Sequence, residues 1–258
     1  MVEEAMLLEA VADVARRVGQ HALRSYRREL PVEWKQDGSP VTSADRSAEQ
    51  AARDWIVERF PDDGILGEEL GAHNAHAARR GIIDPIDGTR SFLRGVPLWG
   101  TLVAVARGER VLAGAICCAA LDELVCAAAG QGCWWNGARA LVSPVDEMSR
   151  ALVLTTDTTF AAAPGRAAGW RALSARAGTT RGWGDCFGYL LVATGRADAM
   201  VDPVLAPWDA AALQPVIEEA GGTFSDWSGR STAFGGSGIA TNAALSGVVR
   251  ELLAAGVP

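Results

Sequence analysis

The runs TLVAVA (101–106), VLAGAICCA (111–119) and ELVCAAA (123–129) constrain the fold of this chain more tightly than any other feature. Only short polar or glycine-containing breaks separate them, too short for a crossover helix, so they read as an antiparallel meander. Ahead of them, residues 3–29 show the period of an amphipathic helix, with Leu7, Val11, Val14, Val18, Ala22 and Tyr26 at three- and four-residue steps. A loop with the turn formers Asp37-Gly38 and Ser39-Pro40 follows. A second helix is expected over 44–60, stopping before Pro61. GILGEE (64–69) and GIIDPIDG (81–88) read as short strands with acids at their ends.

After about residue 145 the pattern changes to alternation. ALVLTT (151–156), ADAMVDP (197–203) and GIATN (238–242) read as strands. Residues 164–177, 185–195 and 208–222 read as helices, two of them closed by glycine, with a further helix at the end. Strands alternating with helices imply an α/β class in which helices cover sheets. Two intimately packed parts are expected, 1–145 and 146–258.

Net charge is −7 with no Lys- or Arg-rich run, which excludes a nucleic-acid footprint. A phosphate substrate stays compatible with that charge if bound cations reverse the local field. No segment has the length of an apolar membrane span, and the start lacks a basic region ahead of an apolar core. Cys117, Cys118, Cys126, Cys133 and Cys186 are odd in number, sit in apolar contexts and form no CxxC pair. They read as reduced core residues of a cytoplasmic protein.

Four segments place acids where a strand ends or a helix begins. In Asp84-Pro85-Ile86-Asp87-Gly88-Thr89 an apolar run delivers Asp84, and three-residue spacing lets Asp87 and the Ile86 carbonyl face the same point. Carboxylates so close repel unless a cation lies between them, and oxygen-only ligands favour magnesium or manganese. Gly88 permits a tight turn, and the N–H groups of the segment opened by Thr89 could hold a phosphate. Taken singly, each acid has a plainer reading. Asp84 and Asp87 could cap a turn, Glu68-Glu69 could be a solvated acidic turn, Asp209 an N-cap, and Asp45 a capping-box partner of Thr42. Their joint occurrence in this order favours a site.

Glu68-Glu69, DPIDGT at 84–89 and PWDAAALQPVIEEAGG at 207–222, with Lys35, Asp37-Gly38-Ser39-Pro40-Val41-Thr42 and Asp45 before them, resemble the signatures of the inositol monophosphatase family. That resemblance implies a layered α/β/α/β/α sandwich, two or three magnesium ions (manganese as a substitute), a homodimer, and hydrolysis of a small phosphate monoester by an activated water. It assigns Glu68, Asp84, the Ile86 carbonyl, Asp87 and Asp209 to metals, and Gly88 and Thr89 to phosphate. Glu68, Thr89, Asp45 and Lys35 become the catalytic set, Lys35 on a loop able to close over the site.

Within the family, the stretch WGDCFGYLLVATGRAD (183–198) resembles the histidinol-phosphate phosphatases. Asp185 replaces a small residue of inositol-type members, and an extra acid suits a cationic alcohol. Arg181, Asp185 and Asp202 are the expected substrate contacts, with an N-cap as the alternative for Asp185. Competing expectations are an inositol monophosphatase, a nucleotidase acting on adenosine bisphosphates, or a non-catalytic protein-binding member. Arg90 departs from the family pattern and is expected near the phosphate or on the surface. His21 reads as structural, His73 and His76 as surface-loop residues, and Trp134-Trp135 as part of a β-turn.

Overall fold

The computed structural model describes residues 2–254. In chain order the first part contains α1 (Val2–Leu23), β1 (Glu33–Trp34), β2 (Pro40–Val41), α2 (Ser43–Arg59), β3 (Gly64–Gly67), β4 (Gly71–His73) and β5 (Arg79–Asp87). Then come α3 (Thr89–Leu93), β6 (Gly100–Arg107), β7 (Arg110–Cys118), β8 (Glu123–Ala128), β9 (Gly132–Trp135) and β10 (Ala138–Arg139). The remainder holds β11 (Leu152–Leu154), α4 (Ala167–Arg176), β12 (Thr179–Arg181), α5 (Asp185–Ala193), β13 (Ala199–Asp202), α6 (Pro207–Ala210), α7 (Leu213–Glu219), β14 (Thr223–Ser225), β15 (Gly238–Thr241) and α8 (Ser246–Ala254).

The meander β6–β7–β8 sits in an eight-stranded sheet of order β10-β9-β8-β7-β6-β5-β3-β4, antiparallel except for the β3/β5 pair. Its strands read as nearly continuous apolar runs because both faces are covered. Ile83, Val103, Ala115 and Cys117 turn towards α1 and α2, where Leu7, Val11, Val14, Val18 and the alanines of α2 meet them. Their neighbours Ile82, Leu102, Ala104 and Ile116 face α5 and α7. Those helices also cover a five-stranded sheet of order β12-β11-β13-β15-β14 through Leu154, Met200 and Ala240. The outer face of that sheet (Val153, Ala199, Val201, Ile239) packs on Trp170 and Leu173 of α4 and Val249 and Leu253 of α8. The order of layers is therefore α/β/α/β/α.

Three local expectations are corrected. The first helix ends at Leu23 rather than residue 29: past it the N–H groups of Arg24, Ser25 and Tyr26 donate to carbonyls three residues back, and Arg27 then takes a left-handed φ of 59°. Tyr26 turns instead to pack on Phe92 and Trp99 and to donate to the Gly95 carbonyl at 2.5 Å. The helix expected over 208–222 is broken into α6 and α7. Pro215 lacks an N–H and would clash with the carbonyl one turn earlier, so the break falls before it. Trp134 and Trp135 lie on β9, not in a turn, with Arg139 and Arg196 over their rings. His21 links α1 to α2 through the Ser47 hydroxyl at 3.1 Å. All five cysteines are free and buried. Among the described residues no helix is long and apolar enough to cross a membrane.

Candidate active site

Strand β5 ends where its pairing with β6 slips between Asp84 and Asp87. Such an irregularity re-aims side chains at a sheet edge. Thr101 pins the bulge by donating to the Pro85 carbonyl at 2.8 Å, and the Asp84 carboxylate accepts the Ile86 N–H at 3.0 Å. Asp84 and Asp87 thereby point to one place. Asp209 reaches it from α6, anchored by the Ala206 N–H at 2.7 Å. One oxygen from each of the three carboxylates lies within 4.8 Å of the others. Burial, then the charges of Glu68, Asp87 and Asp209, drives the Asp84 carboxyl well above the ordinary range. Asp87 is raised the same way, by burial and by Asp185 and Asp209. Asp209 is pushed up to about 7, first by burial. Asp84 is buried and Asp87 and Asp209 are half-buried. Three carboxylates held so close without a cation are electrostatically unfavourable, and an all-oxygen donor set fits a hard divalent ion.

Glu68 lines the same cleft, with Ser39, Thr89, Arg90 and Asp185. The turn after β3 is not a solvated acidic turn. The Lys35 ammonium donates to Glu68 at 2.7 Å and to Glu69 at 2.6 Å, and the Glu69 side chain is almost fully covered. Burial pulls the Lys35 ammonium down, but the two carboxylates outweigh it and hold the group above its usual value. Burial raises Glu69 to about 7, with the charge of Glu68 adding to the effect and Lys35 opposing it. The hairpin β1–β2 is thus already laid on the cleft, and Arg90 ties it down by donating to the Gly38 carbonyl at 2.9 Å.

Gly88 adopts φ 83° and precedes α3. A Cβ there would stand 3.0 Å from both the Asp185 carboxylate and the Leu98 carbonyl. The Thr89 hydroxyl is shared between the Ile86 carbonyl at 2.9 Å and Asp45 at 3.2 Å. Asp45 serves two purposes at once. It closes the capping box of α2, accepting from the Thr42 N–H (2.8 Å) and hydroxyl (2.6 Å), and it backs Thr89.

Beside the carboxylates lies a pocket of about 180 Å3 bordered by Asp157, Asp185, Tyr189, Asp202, Leu205 and Leu213. Asp185 does not cap α5 with its side chain. It takes a left-handed φ of 54°, its N–H donates to the Thr156 hydroxyl at 2.9 Å, and burial with the nearby Asp202 raises it to about 7. Asp202 is fully buried and already engaged by the Thr156 N–H (2.9 Å), the Thr156 hydroxyl (3.1 Å) and the Tyr189 hydroxyl (3.1 Å). Its carboxylate braces the wall of the pocket that it borders. Arg181 is not brought into the cleft. It lies on the edge strand β12, with its guanidinium on the Thr180 carbonyl. Asp157 and Thr156 carry no motif and are not legible as pocket residues, whereas Tyr189 falls within the 183–198 stretch.

Residues 3–257 match the inositol monophosphatase family. The chain belongs to that family. Curated relatives include a histidinol-phosphatase of Chlorobaculum parvum, 42% identical over 96% of this chain and 95% of the relative. Another, from Mycobacterium tuberculosis, is 36% identical over 98% and 99%. Among solved family structures, a Thermotoga maritima IMPase superposes with a TM-score of 0.87 at 29% identity, covering 96% of this chain and 97% of that one.

Proposed function

We propose that this family member hydrolyses L-histidinol phosphate to L-histidinol and inorganic phosphate with magnesium as cofactor. The observation that carries the substrate is the acid-bordered pocket, with Asp157 and Asp185 on its wall, set directly against the three converging carboxylates. Asp157 is satisfied by its own turn, accepting from the Thr159 N–H and hydroxyl and the Ala161 N–H. The half-buried Asp185 is the acid that an alcohol bearing an ammonium and an imidazole would offset, whereas a neutral polyol would leave it without a counter-charge. Similarity to the two histidinol-phosphatases supports the same choice.

Glu68, Asp84, Asp87, Asp209 and the Ile86 carbonyl would hold the metal. When bound, magnesium neutralises phosphate charge, acidifies a water and stabilises the departing alkoxide. The chain's own groups do the rest. Gly88 brings backbone close to the phosphate, and Thr89 orients the attacking water while Asp45 receives the proton behind it. Lys35 places a positive charge at the mouth, and Asp185 holds the cationic end of the alcohol.

The test is phosphate release from L-histidinol phosphate, an inositol monophosphate and adenosine bisphosphate, each with magnesium. The highest kcat/KM is expected for L-histidinol phosphate. Faster turnover of the inositol ester would overturn the substrate, and no turnover of any ester would overturn the enzyme.

A further inference from the structure

Helix α2 turns an apolar face of Ala44, Ala48, Ala52 and Ile56 to the large sheet, yet Glu49 beside Ala48 is completely buried. A buried carboxylate is costly unless its oxygens are hydrogen-bonded. Those of Glu49 are, and their partners sit on one short segment. One oxygen accepts the Glu69 N–H at 2.7 Å; the other accepts the Leu70 N–H at 3.1 Å and the Arg53 guanidinium at 2.8 Å. Arg53 continues the grip by donating to the Gly71 carbonyl. Glycine is required at position 67, where a Cβ would lie 2.0 Å from the Glu49 carboxylate. Glu49 therefore lies against the backbone immediately before Glu68 and holds the N–H groups immediately after it.

We infer that Glu49 is a positioning residue, clamping the 67–70 turn so that Glu68 is presented to the metal from a fixed backbone. The Glu68 N–H also donates to the Ile83 carbonyl at 3.2 Å, continuing the β3/β5 ladder, and the Glu68 side chain is tied to the Lys35 ammonium, a group on a separate hairpin. A cation bound by Glu68 competes with that tie, and the clamp beneath is what then keeps the carboxylate aimed. The inference rests on the proposed metal role of Glu68.

The experiment compares Glu49→Gln and Glu68→Gln with the unaltered chain. The amide of Glu49→Gln has the size of the acid but offers one accepting oxygen instead of two, so one turn N–H loses its partner. Magnesium half-saturation is read twice, from phosphate release and from manganese binding followed by electron paramagnetic resonance without substrate. Glu49→Gln is expected to weaken metal binding roughly tenfold or more by both readouts, with kcat at saturating magnesium falling much less. Glu49→Asp should recover part of the loss. If Glu49→Gln does not fold, Arg53→Gln, which leaves the carboxylate in place, should shift half-saturation in the same direction by a smaller factor. A lowered melting temperature with unshifted metal binding in the folded variant would overturn the inference and make Glu49 purely structural. Unshifted binding in Glu68→Gln would instead overturn the metal assignment, which separates the two failures.

Discussion

Asp84, Asp87 and Asp209 each raise the cost of ionising the others, so the cluster trades stability for the capacity to bind a cation. Asp84→Asn or Asp209→Asn should therefore abolish magnesium-stimulated phosphate release. Either variant should also melt no lower than the unaltered protein when both are metal-free. A marked drop in melting temperature would show that these acids hold the fold rather than the ion. Asp185 permits a sharper test, since asparagine tolerates a left-handed backbone nearly as well as aspartate. A charge-assisted hydrogen bond contributes ~1.5–3 kcal/mol, so Asp185→Asn should raise KM for L-histidinol phosphate roughly ten- to a hundredfold. KM for a neutral ester should barely move, and equal losses on both would remove Asp185 from alcohol recognition.

At the scale of elements, the turn from β5 into α3 has the least freedom. A side chain at Gly88 would meet a left-handed backbone, a penalty of ~1–2 kcal/mol, and would also press on the Asp185 carboxylate. Gly88→Ala should lower both the melting temperature and kcat, and an unimpaired Gly88→Ala enzyme would mean that the turn relaxes freely. Much at this scale could be read beforehand. The meander was visible because three runs stand so close together, and the start of α2 because Thr42 and Asp45 carry a local hydrogen-bond pattern. Edge pieces such as β4 and β12 were not, since their three residues are largely exposed and show no apolar alternation. The same limit applied inside the site. A motif names the acids but not their partners, and the partner of Asp202 is Thr156, 46 residues away. The role of Glu49 is not legible because two of its partners are backbone N–H groups, which no residue type announces, and its pair with Arg53 reads as an ordinary i,i+4 ion pair.

For the whole molecule, the raised carboxyls contribute a metal-sensitive part of the pH dependence of stability. Asp185 and Asp209 are shifted from 3.8 to about 7, and Glu69 from 4.5 to about 7. Between those limits these three groups bind more protons in the folded chain than in the unfolded one, so their contribution to metal-free stability falls as pH rises from about 4 towards 7. Other titrating groups superimpose their own slopes, but only the cluster's contribution responds to magnesium. Melting curves in chelator should thus drop between pH 5 and pH 8, and saturating magnesium should recover most of the loss at pH 8 and little at pH 5. An identical magnesium effect at both values would contradict the cluster as the source.

The helices α5 and α7 have one sheet on each side and almost no surface of their own facing water. Residues 1–145 expressed alone would bare Ile82, Leu102, Ala104 and Ile116, and residues 146–258 would bare the opposite side of the same helices. Each fragment would carry a broad sticky face, and neither would hold the full set of acids. A protease cut between the sheets should leave the two pieces bound to each other, whereas pieces made separately should aggregate until they are mixed.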